Sequence, residues 1–132
     1  MFVSVLFVCG CASAPQADFC QSPSSDTYNI YFAFNSPAVD QKGIDTAKHI
    51  AQFASCCGKT INLGGYTDIK GGKAYNLKLG QHRADAVKAL LVSLGLPEKS
   101  ITAVSYGYAD PVAQGDTDEG NSQNRRVTAR LN

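Results

Sequence analysis

The chain has 132 residues, of which 44% are hydrophobic and 17% are charged, and its formal net charge is +1. This length suffices for one domain with a hydrophobic core, and the composition is typical of a globular protein rather than a disordered one. Because proteins that bind the phosphate backbone usually carry a basic excess, the charge gives no support to nucleic-acid binding.

The chain begins with an apolar segment, Phe2–Val8, that is followed by Cys9, Gly10 and Cys11. A membrane-spanning helix needs about 20 apolar residues, so this segment is too short to cross a bilayer. Its length is typical of the hydrophobic part of a signal peptide. The sequence around Cys11 resembles a bacterial lipobox, which predicts a lipoprotein signal peptide over residues 1–10 and a lipid on Cys11. No Lys or Arg precedes the segment. The alternatives are a buried N-terminal strand and a plain cleaved signal peptide.

The next segment, residues 11–27, is rich in Ser, Pro, Ala and Gln and has no hydrophobic periodicity, which predicts a flexible tether. If Cys11 carries a lipid, three cysteines remain downstream of it. An oxidising compartment outside the cytoplasm favours a disulfide among them. Cys20 could pair with either Cys56 or Cys57, and the sequence does not distinguish the two pairings.

The folded part is predicted to begin near Tyr28. Hydrophobic and polar residues alternate up to Asn35, and a period of two predicts a strand with one buried face. The residues on that face are Tyr28, Ile30, Phe32 and Phe34. An amphipathic helix is predicted to follow from Val39 and to end near Cys57 and Gly58, where glycine can adopt the left-handed conformation.

A second strand is predicted at Ile61 and Leu63, and a second helical region runs from Gly72 to Gly95. The apolar stripe of this helix is Ala84, Val87, Leu90, Leu91 and Leu94. A third strand over residues 101–108, a polar loop over 110–124 and a last strand through Val127, Ala129 and Leu131 complete the chain. The sequence therefore predicts an α+β two-layer sandwich, with a four-stranded mixed sheet in the order β-α-β-α-β-β and two main helices on one face.

Three segments are unusual for a bare scaffold: Gly64–Asp68 (GGYTD), Ala74–Ala84 (AYNLKLGQHRA) and Asn121–Val127 (NSQNRRV). The adjacent glycines permit the close approach of another backbone or of a ligand. Asp68 offers a carboxylate in a loop, and the guanidinium of Arg83 can hold a carboxylate bidentately. An acid and a base a few ångströms apart match a zwitterionic ligand, or else they form a structural ion pair.

Together these segments resemble the OmpA-like peptidoglycan-binding family. The matching pieces, in the order and register of the family pattern, are Gly65–Asp68, Gly71-Gly72, Tyr75-Asn76, Leu79-Gly80, Arg83-Ala84, Tyr106–Tyr108 and Asn124–Val127. The resemblance covers residues 28–132, which we expect to form the OmpA-like domain. It implies non-covalent binding of a peptidoglycan stem peptide, with the ammonium of a diaminopimelate head against Asp68 and its carboxylate against Arg83.

The other predicted ligand contacts are Thr67, Asn76, Asn35, Leu79 and Arg125. Gly80 stands where the family has a serine that would cap the second helix, and the N-terminus of that helix is expected to supply free N–H groups to the same anion. Tyr75 is expected to be a packing residue. Tyr66 replaces a family histidine and Asn35 an aspartate, changes that would weaken the grip on an ammonium.

Two functions remain open. The first is a lipid-anchored module on the periplasmic face of the outer membrane, with peptidoglycan as its partner and Tol-type envelope proteins as further candidates. The alternative, motivated by Asn35 and Tyr66, is an envelope interaction or assembly subunit that no longer binds peptidoglycan. The sequence contains no G-x-S-x-G, H-E-x-x-H or P-loop motif, so it predicts no enzyme, no cofactor and no metal site.

Overall fold

The structure, a computed structural model, describes residues 26–132. The strands are β1 (Thr27–Tyr31), β2 (Ile61–Tyr66), β3 (Ile101–Gly107) and β4 (Arg126–Leu131). The helices are α1 (Gln41–Cys57), α2 (Lys73–Ser93) and α3 (Asp118–Asn124), and a 3-10 turn covers Glu98–Ser100. The predicted signal peptide, the lipid on Cys11 and nearly all of the predicted tether lie outside the described residues and stay predictions.

The four strands form one mixed sheet in the order β1-β4-β2-β3. Strand β4 is antiparallel to both β1 and β2, whereas β2 and β3 are parallel. A parallel pair needs a long crossover connection, and α2 supplies it. The predicted α+β sandwich with a mixed four-stranded sheet is therefore confirmed.

One hydrophobic core lies between the sheet and the helices α1 and α2. Its most buried side chains come from alternate positions of the strands and from one face of each helix: Ile30, Ile50, Ile61, Val87, Leu91 and Val127. The predicted stripe of α2 is confirmed for Ala84, Val87 and Leu91, but Leu94 is 37% exposed because the helix ends at Ser93. The opposite face of the sheet carries no helix of residues 26–132.

The first strand is shorter than predicted. Phe32 still donates its backbone N–H to the carbonyl of Arg125, at 2.9 Å, and is buried. Beyond it the chain leaves the sheet and turns at Asn35, whose φ of 53° is left-handed, a conformation that asparagine tolerates better than most residues. Phe34 is consequently 61% exposed. Its assignment to the buried face of a strand was wrong, because the alternation of residue types continues into a loop.

Helix α1 is capped at both ends. The carboxylate of Asp40 accepts a hydrogen bond of 2.8 Å from the backbone N–H of Gly43, which satisfies one of the free donors of the first turn. At the other end Gly58 has a φ of 62°, and its N–H donates to the carbonyl of Ala54. The predicted end of the helix at Cys57 and Gly58 is confirmed.

We expect Asp40→Ala to lower the free energy of unfolding by about 1 kcal/mol, since it removes the acceptor at the helix N-cap. Urea denaturation of the variant and the wild type measures this difference. Asp45→Ala, an exposed position on the same helix, is the control and should stay within about 0.5 kcal/mol of the wild type. Equal losses for both variants would contradict the capping role.

Helix α2 crosses β2 at very short range because two glycines face each other there. A Cβ atom on Gly65 would overlap the backbone carbonyl of Gly80, and a Cβ atom on Gly80 would collide with the hydroxyl of Ser105. The helix begins at Lys73, with Gly72 at its N-cap. The prediction that Gly80 caps the helix was therefore wrong, since Gly80 lies in its interior as a packing residue.

The predicted polar loop over residues 110–124 contains a short helix, α3. The hydroxyl of Thr117 accepts a hydrogen bond from the N–H of Gly120 and caps it. The buried amide of Asn124 accepts from the N–H groups of Val112 and Ala113 and donates to the carbonyl of Ala113. The interpretation as an irregular loop was wrong because these local side-chain bonds order a polar segment without a hydrophobic stripe.

Cys57 at the end of α1 takes part in a disulfide, whereas Cys56 is free and exposed. Cys20 lies outside the described residues, so its pairing stays a prediction. Within residues 26–132, no helix combines the length and the apolar composition that crossing a membrane requires.

Candidate functional site

A cavity of about 180 Å³ lies beside the end of β2, between the segment that follows β1 and the first turns of α2. Its lining brings together distant parts of the sequence: Phe34, Asn35, Asp68, Lys70, Gly71, Tyr75, Asn76, Leu79 and Arg83. Five of the seven predicted ligand contacts belong to this set, namely Asp68, Arg83, Asn76, Asn35 and Leu79. The structure thus groups most of the residues that the sequence pattern selected.

Helix α2 supplies one wall of the cavity through Asn76, Leu79 and Arg83. These positions are spaced i, i+3 and i+7, so they lie on one face of the helix. Gly71 and Tyr75 place the beginning of α2 at the rim, and Arg83 lies several turns further on. The helix N-terminus therefore borders the cavity at residues well before Gly80, and not beside Arg83 as the sequence predicted.

Asp68 carries the negative charge of the cavity. Its side chain is held from two directions, because Oδ1 accepts from the N–H of Lys70 at 3.1 Å and Oδ2 lies 3.4 Å from Nη1 of Arg125. Charge-assisted N–H···O bonds are usually about 2.7–2.9 Å long, so the contact with Arg125 is a loose one. The residue is 4% exposed. Because the contact with Arg125 is loose, the carboxylate keeps acceptor capacity for another donor.

Arg83 carries a positive charge in the wall of the same cavity and exposes none of its surface to solvent. Its guanidinium donates hydrogen bonds to three backbone carbonyls, those of Ser36 (2.9 Å), Tyr66 (3.1 Å) and Ala33 (3.1 Å). Since a guanidinium has five N–H groups, these three bonds leave two N–H groups available. Arg83 thus joins the chain after β1 to the end of β2.

Burial lowers the pKa of Arg83 to about 10, although the nearby Asp68 carboxylate acts in the opposite direction. The guanidinium is therefore still protonated at neutral pH, and the cavity presents one negative and one positive group close together. The salt bridge of Asp68 is made with Arg125 and not with Arg83. The structural ion pair between Asp68 and Arg83, which the sequence left open, is absent from the described residues.

Asn76 fixes the loop that connects β2 to α2. Its buried side chain donates to the carbonyl of Lys70 at 2.9 Å. The ammonium of Lys70 lies 5.6 Å from the centre of the Phe34 ring at the exposed rim of the cavity, within the range of a cation–π contact. Lys70 is therefore a second cation beside Asp68.

Sequence reasoning missed four residues of the lining, which are Phe34, Lys70, Gly71 and Tyr75. Tyr75 was expected to be a packing residue, but it is 48% exposed and contributes to the cavity. Two signals could have found these residues. Lys70 stands between Asp68 and a glycine pair, and Phe34 is adjacent to Asn35.

Two of the predicted ligand contacts, Thr67 and Arg125, lie outside the cavity lining, and so does Tyr66. Arg125 donates to Asp68 and to the carbonyl of Phe32 from behind the site. The hydroxyl of Thr67 is buried and has no hydrogen-bond partner among the described residues. The ring of Tyr66 stacks on Tyr106 on the helix-free face of the sheet, with ring centres 5.2 Å apart. The exchange of histidine for Tyr66 therefore leaves the cavity untouched.

The mixed sheet, the two covering helices and the charged cavity at the end of β2 together define a small α+β domain of the OmpA type. The sequence model of the OmpA family matches residues 31–125. The chain belongs to the OmpA family.

Among curated proteins, the chain is 43% identical over 98 residues to the peptidoglycan-associated lipoprotein of Buchnera aphidicola subsp. Baizongia pistaciae, covering 74% of this chain and 57% of that protein. It is 40% identical over 104 residues to the outer membrane porin F of Pseudomonas fluorescens, covering 78% and 32% respectively. The crystal structure of the peptidoglycan-associated lipoprotein from Burkholderia pseudomallei superimposes with a TM-score of 0.79 at 35% identity, covering 87% of this chain and 100% of that one. The chain thus spans less than two thirds of the length of these two curated relatives.

Proposed function

We propose that this protein binds peptidoglycan non-covalently, through the zwitterionic head of a diaminopimelate-containing stem peptide, and so attaches the outer membrane to the cell wall. The observation that carries the proposal is the presence of the Asp68 carboxylate and the Arg83 guanidinium in the lining of one cavity. A zwitterion presents an ammonium and a carboxylate a few ångströms apart. The two protein charges complement it in sign.

The ammonium of the ligand is assigned to Asp68 because the loose contact with Arg125 leaves this carboxylate able to accept further hydrogen bonds. The carboxylate of the ligand is assigned to the two remaining N–H groups of Arg83. Lys70 adds an exposed positive charge at the rim. Asn35, Asn76 and Leu79 complete the contact, whereas Arg125 acts behind the wall by positioning Asp68.

The size of the cavity favours a head group over a whole sugar–peptide unit. Its volume is about 180 Å³, below the roughly 300–1,000 Å³ of pockets that enclose drug-sized ligands. A few charge-assisted hydrogen bonds, less the cost of association, correspond to an affinity of about micromolar to millimolar. Many copies held on a membrane opposite a polymer with many stem peptides would bind far more firmly through multivalency.

The envelope location in this proposal rests on the relatives and on the N-terminal sequence. The peptidoglycan-associated lipoproteins and the outer membrane porin are named for the envelope, and a lipid on Cys11 would place this domain on the periplasmic face of the outer membrane. A tether over residues 11–27 would let the domain reach the wall. Binding of this kind needs no catalysis, and Tol-type envelope proteins are the further partners we propose.

The test is a titration with a diaminopimelate-containing stem peptide. We expect Asp68→Asn to lower the affinity at least roughly tenfold, because the variant keeps the shape of the side chain and removes the charge that meets the ammonium. Asp85→Asn, on an exposed position of α2, is the matched control and should bind like the wild type. A peptide with lysine in place of diaminopimelate lacks the second carboxylate and should bind more weakly to every variant.

Equal binding by Asp68→Asn and the wild type would reject the assignment of the ammonium. The alternative, an assembly subunit without wall binding, draws support from the internal partners that Asp68 and Arg83 already have. It predicts no binding of the peptide by the wild type, no retention on purified sacculi, and a stable protein partner on affinity purification.

A further inference from the structure

The helix-free face of the sheet carries a groove of about 320 Å³ that the proposed function does not use. We call it the tyrosine groove, and the side chains that matter are Asn62, Tyr66, Thr102, Tyr106, Thr128 and Arg130. We propose that this groove binds the sugar strand of peptidoglycan while the cavity beside Asp68 takes the peptide head. The inference deepens the proposed function and rests on it.

The outward positions of the strands are more aromatic than a solvated sheet face requires. Such faces are normally polar, yet Tyr106 is 48% exposed, Tyr31 46% and Val104 42%. Tyr66 and Tyr106 form a parallel pair, with 22° between the ring planes. Arg126 and Tyr106 both lie against the ring of Tyr66, so the ring on which a sugar can stack is that of Tyr106, which is 48% exposed. A flat, half-exposed ring suits the C–H face of a sugar, which is apolar, and its phenol group suits the sugar hydroxyls.

The pair is held in place before any ligand arrives. Gly64 lies beneath it, since a Cβ atom there would be 3.0 Å from Cε2 of Tyr106 and 3.1 Å from Cε2 of Tyr66. The guanidinium of Arg126 lies 4.0 Å from the centre of the Tyr66 ring and is almost fully buried. Because the rings are supported in this way, binding would cost little side-chain entropy.

Hydroxyl, amide and guanidinium groups border the rings in the groove. Asn62, Thr102 and Thr128 can each donate and accept hydrogen bonds, as the hydroxyls and acetamido groups of the wall sugars require. The exposed cation among the outward strand positions is Arg130, since Arg126 is almost fully buried, and none of these positions carries a carboxylate. Burial raises the pKa of the Tyr66 phenol, and the carboxylate of Asp110, in the loop after β3, acts in the same direction. This positive surface is complementary to a polymer whose peptides carry carboxylates.

The Tyr66 end of the groove and the Asp68 cavity follow one another along the chain. Tyr66 ends β2 and Asp68 follows two positions later, a separation of at most roughly 7 Å along the chain. Two or three residues of an extended peptide cover that distance. A stem peptide attached to a sugar strand in the tyrosine groove could therefore pass over the end of β2 and reach the cavity.

The test uses two separate probes on the full chain: sugar strands freed of peptides by an amidase, and the free stem peptide. We expect Tyr106→Ala to bind the bare sugar strands roughly tenfold more weakly and the stem peptide unchanged, and Asp68→Asn to show the reverse pattern. Tyr106→Phe keeps the ring and should stay within about twofold of the wild type. Tyr108→Ala, an exposed tyrosine outside the groove lining, is the matched control.

Failure of the wild type to bind bare sugar strands would overturn this inference, and so would equal affinity of Tyr106→Ala and Tyr108→Ala for them. Binding of sugar strands without binding of the stem peptide would instead reject the proposed function and leave the groove supported. Thermal midpoints of all the variants, which we expect to match the wild type, show that the comparison is made between folded proteins.

Discussion

Gly65→Ala should lower the free energy of unfolding by about 3 kcal/mol or more, because the added methyl group has no room. It would overlap the backbone carbonyl of Gly80, and a backbone cannot rotate aside as a side chain can. Helix α2 and strand β2 would have to separate, which loosens the core on both sides. A domain of this size has only about 5–15 kcal/mol of stability. We expect its thermal midpoint to fall by roughly 10–20 °C.

The neighbouring residue provides the control. Gly64→Ala makes the same change one position earlier, on the opposite face of β2, where the nearest atoms are the ring edges of Tyr66 and Tyr106. Because these contacts of 3.0–3.1 Å are with side chains and a shift of a few tenths of an ångström relieves them, the cost should be no more than about 1 kcal/mol. Calorimetry on both variants gives the comparison. A similar loss for the two would show that the contact with the helix does not limit this position.

Arg83→Ala is expected to cost about 3–5 kcal/mol of stability. The variant removes a fully buried side chain and leaves the carbonyls of Ala33, Ser36 and Tyr66 without their donors. Each buried carbonyl that loses its partner costs about 1–3 kcal/mol. The midpoint and slope of urea denaturation would report the change, and loss of peptide binding in this variant would not by itself prove a ligand contact.

Arg83→Lys separates charge from geometry. Lysine keeps the positive charge but concentrates its donors at one atom, so it cannot reach three carbonyls in different directions. We expect a stability between those of Arg83→Ala and the wild type. If Arg83→Lys were as stable as the wild type, the charge alone would account for the role of this residue, and the carbonyl contacts would be secondary.

The fold was predictable where hydrophobic periodicity and helix-ending residues agreed. The end of α1 at Gly58 and the buried face of β4 followed from local chemistry that the tertiary structure did not override. The early end of β1 did not follow, because the residues continue to alternate while the chain turns at Asn35. Helix α3 escaped prediction because polar residues such as Asn124 order it through side-chain hydrogen bonds.

The sequence predicted five of the nine residues that line the cavity but not their contacts. The family resemblance selected Asn76, Leu79 and Arg83 together, and in the structure all three line the cavity from one face of α2. The sequence could not reveal that Arg83 is enclosed by backbone carbonyls or that Asp68 contacts Arg125, since the partners lie far away along the chain. The role of Gly80 was misjudged because close helix–strand contact is a tertiary property.

The three carbonyl bonds of Arg83 make its side chain part of the framework of the domain as well as part of the cavity wall. Random mutagenesis followed by selection for soluble, folded molecules would discard nearly all changes at this position, whatever they did to ligand recognition. Under the proposed function, adaptation to a peptidoglycan of different composition is therefore open mainly to residues at the rim, such as Lys70 and Asn35. Among related proteins that share this arginine, divergence should concentrate at the rim.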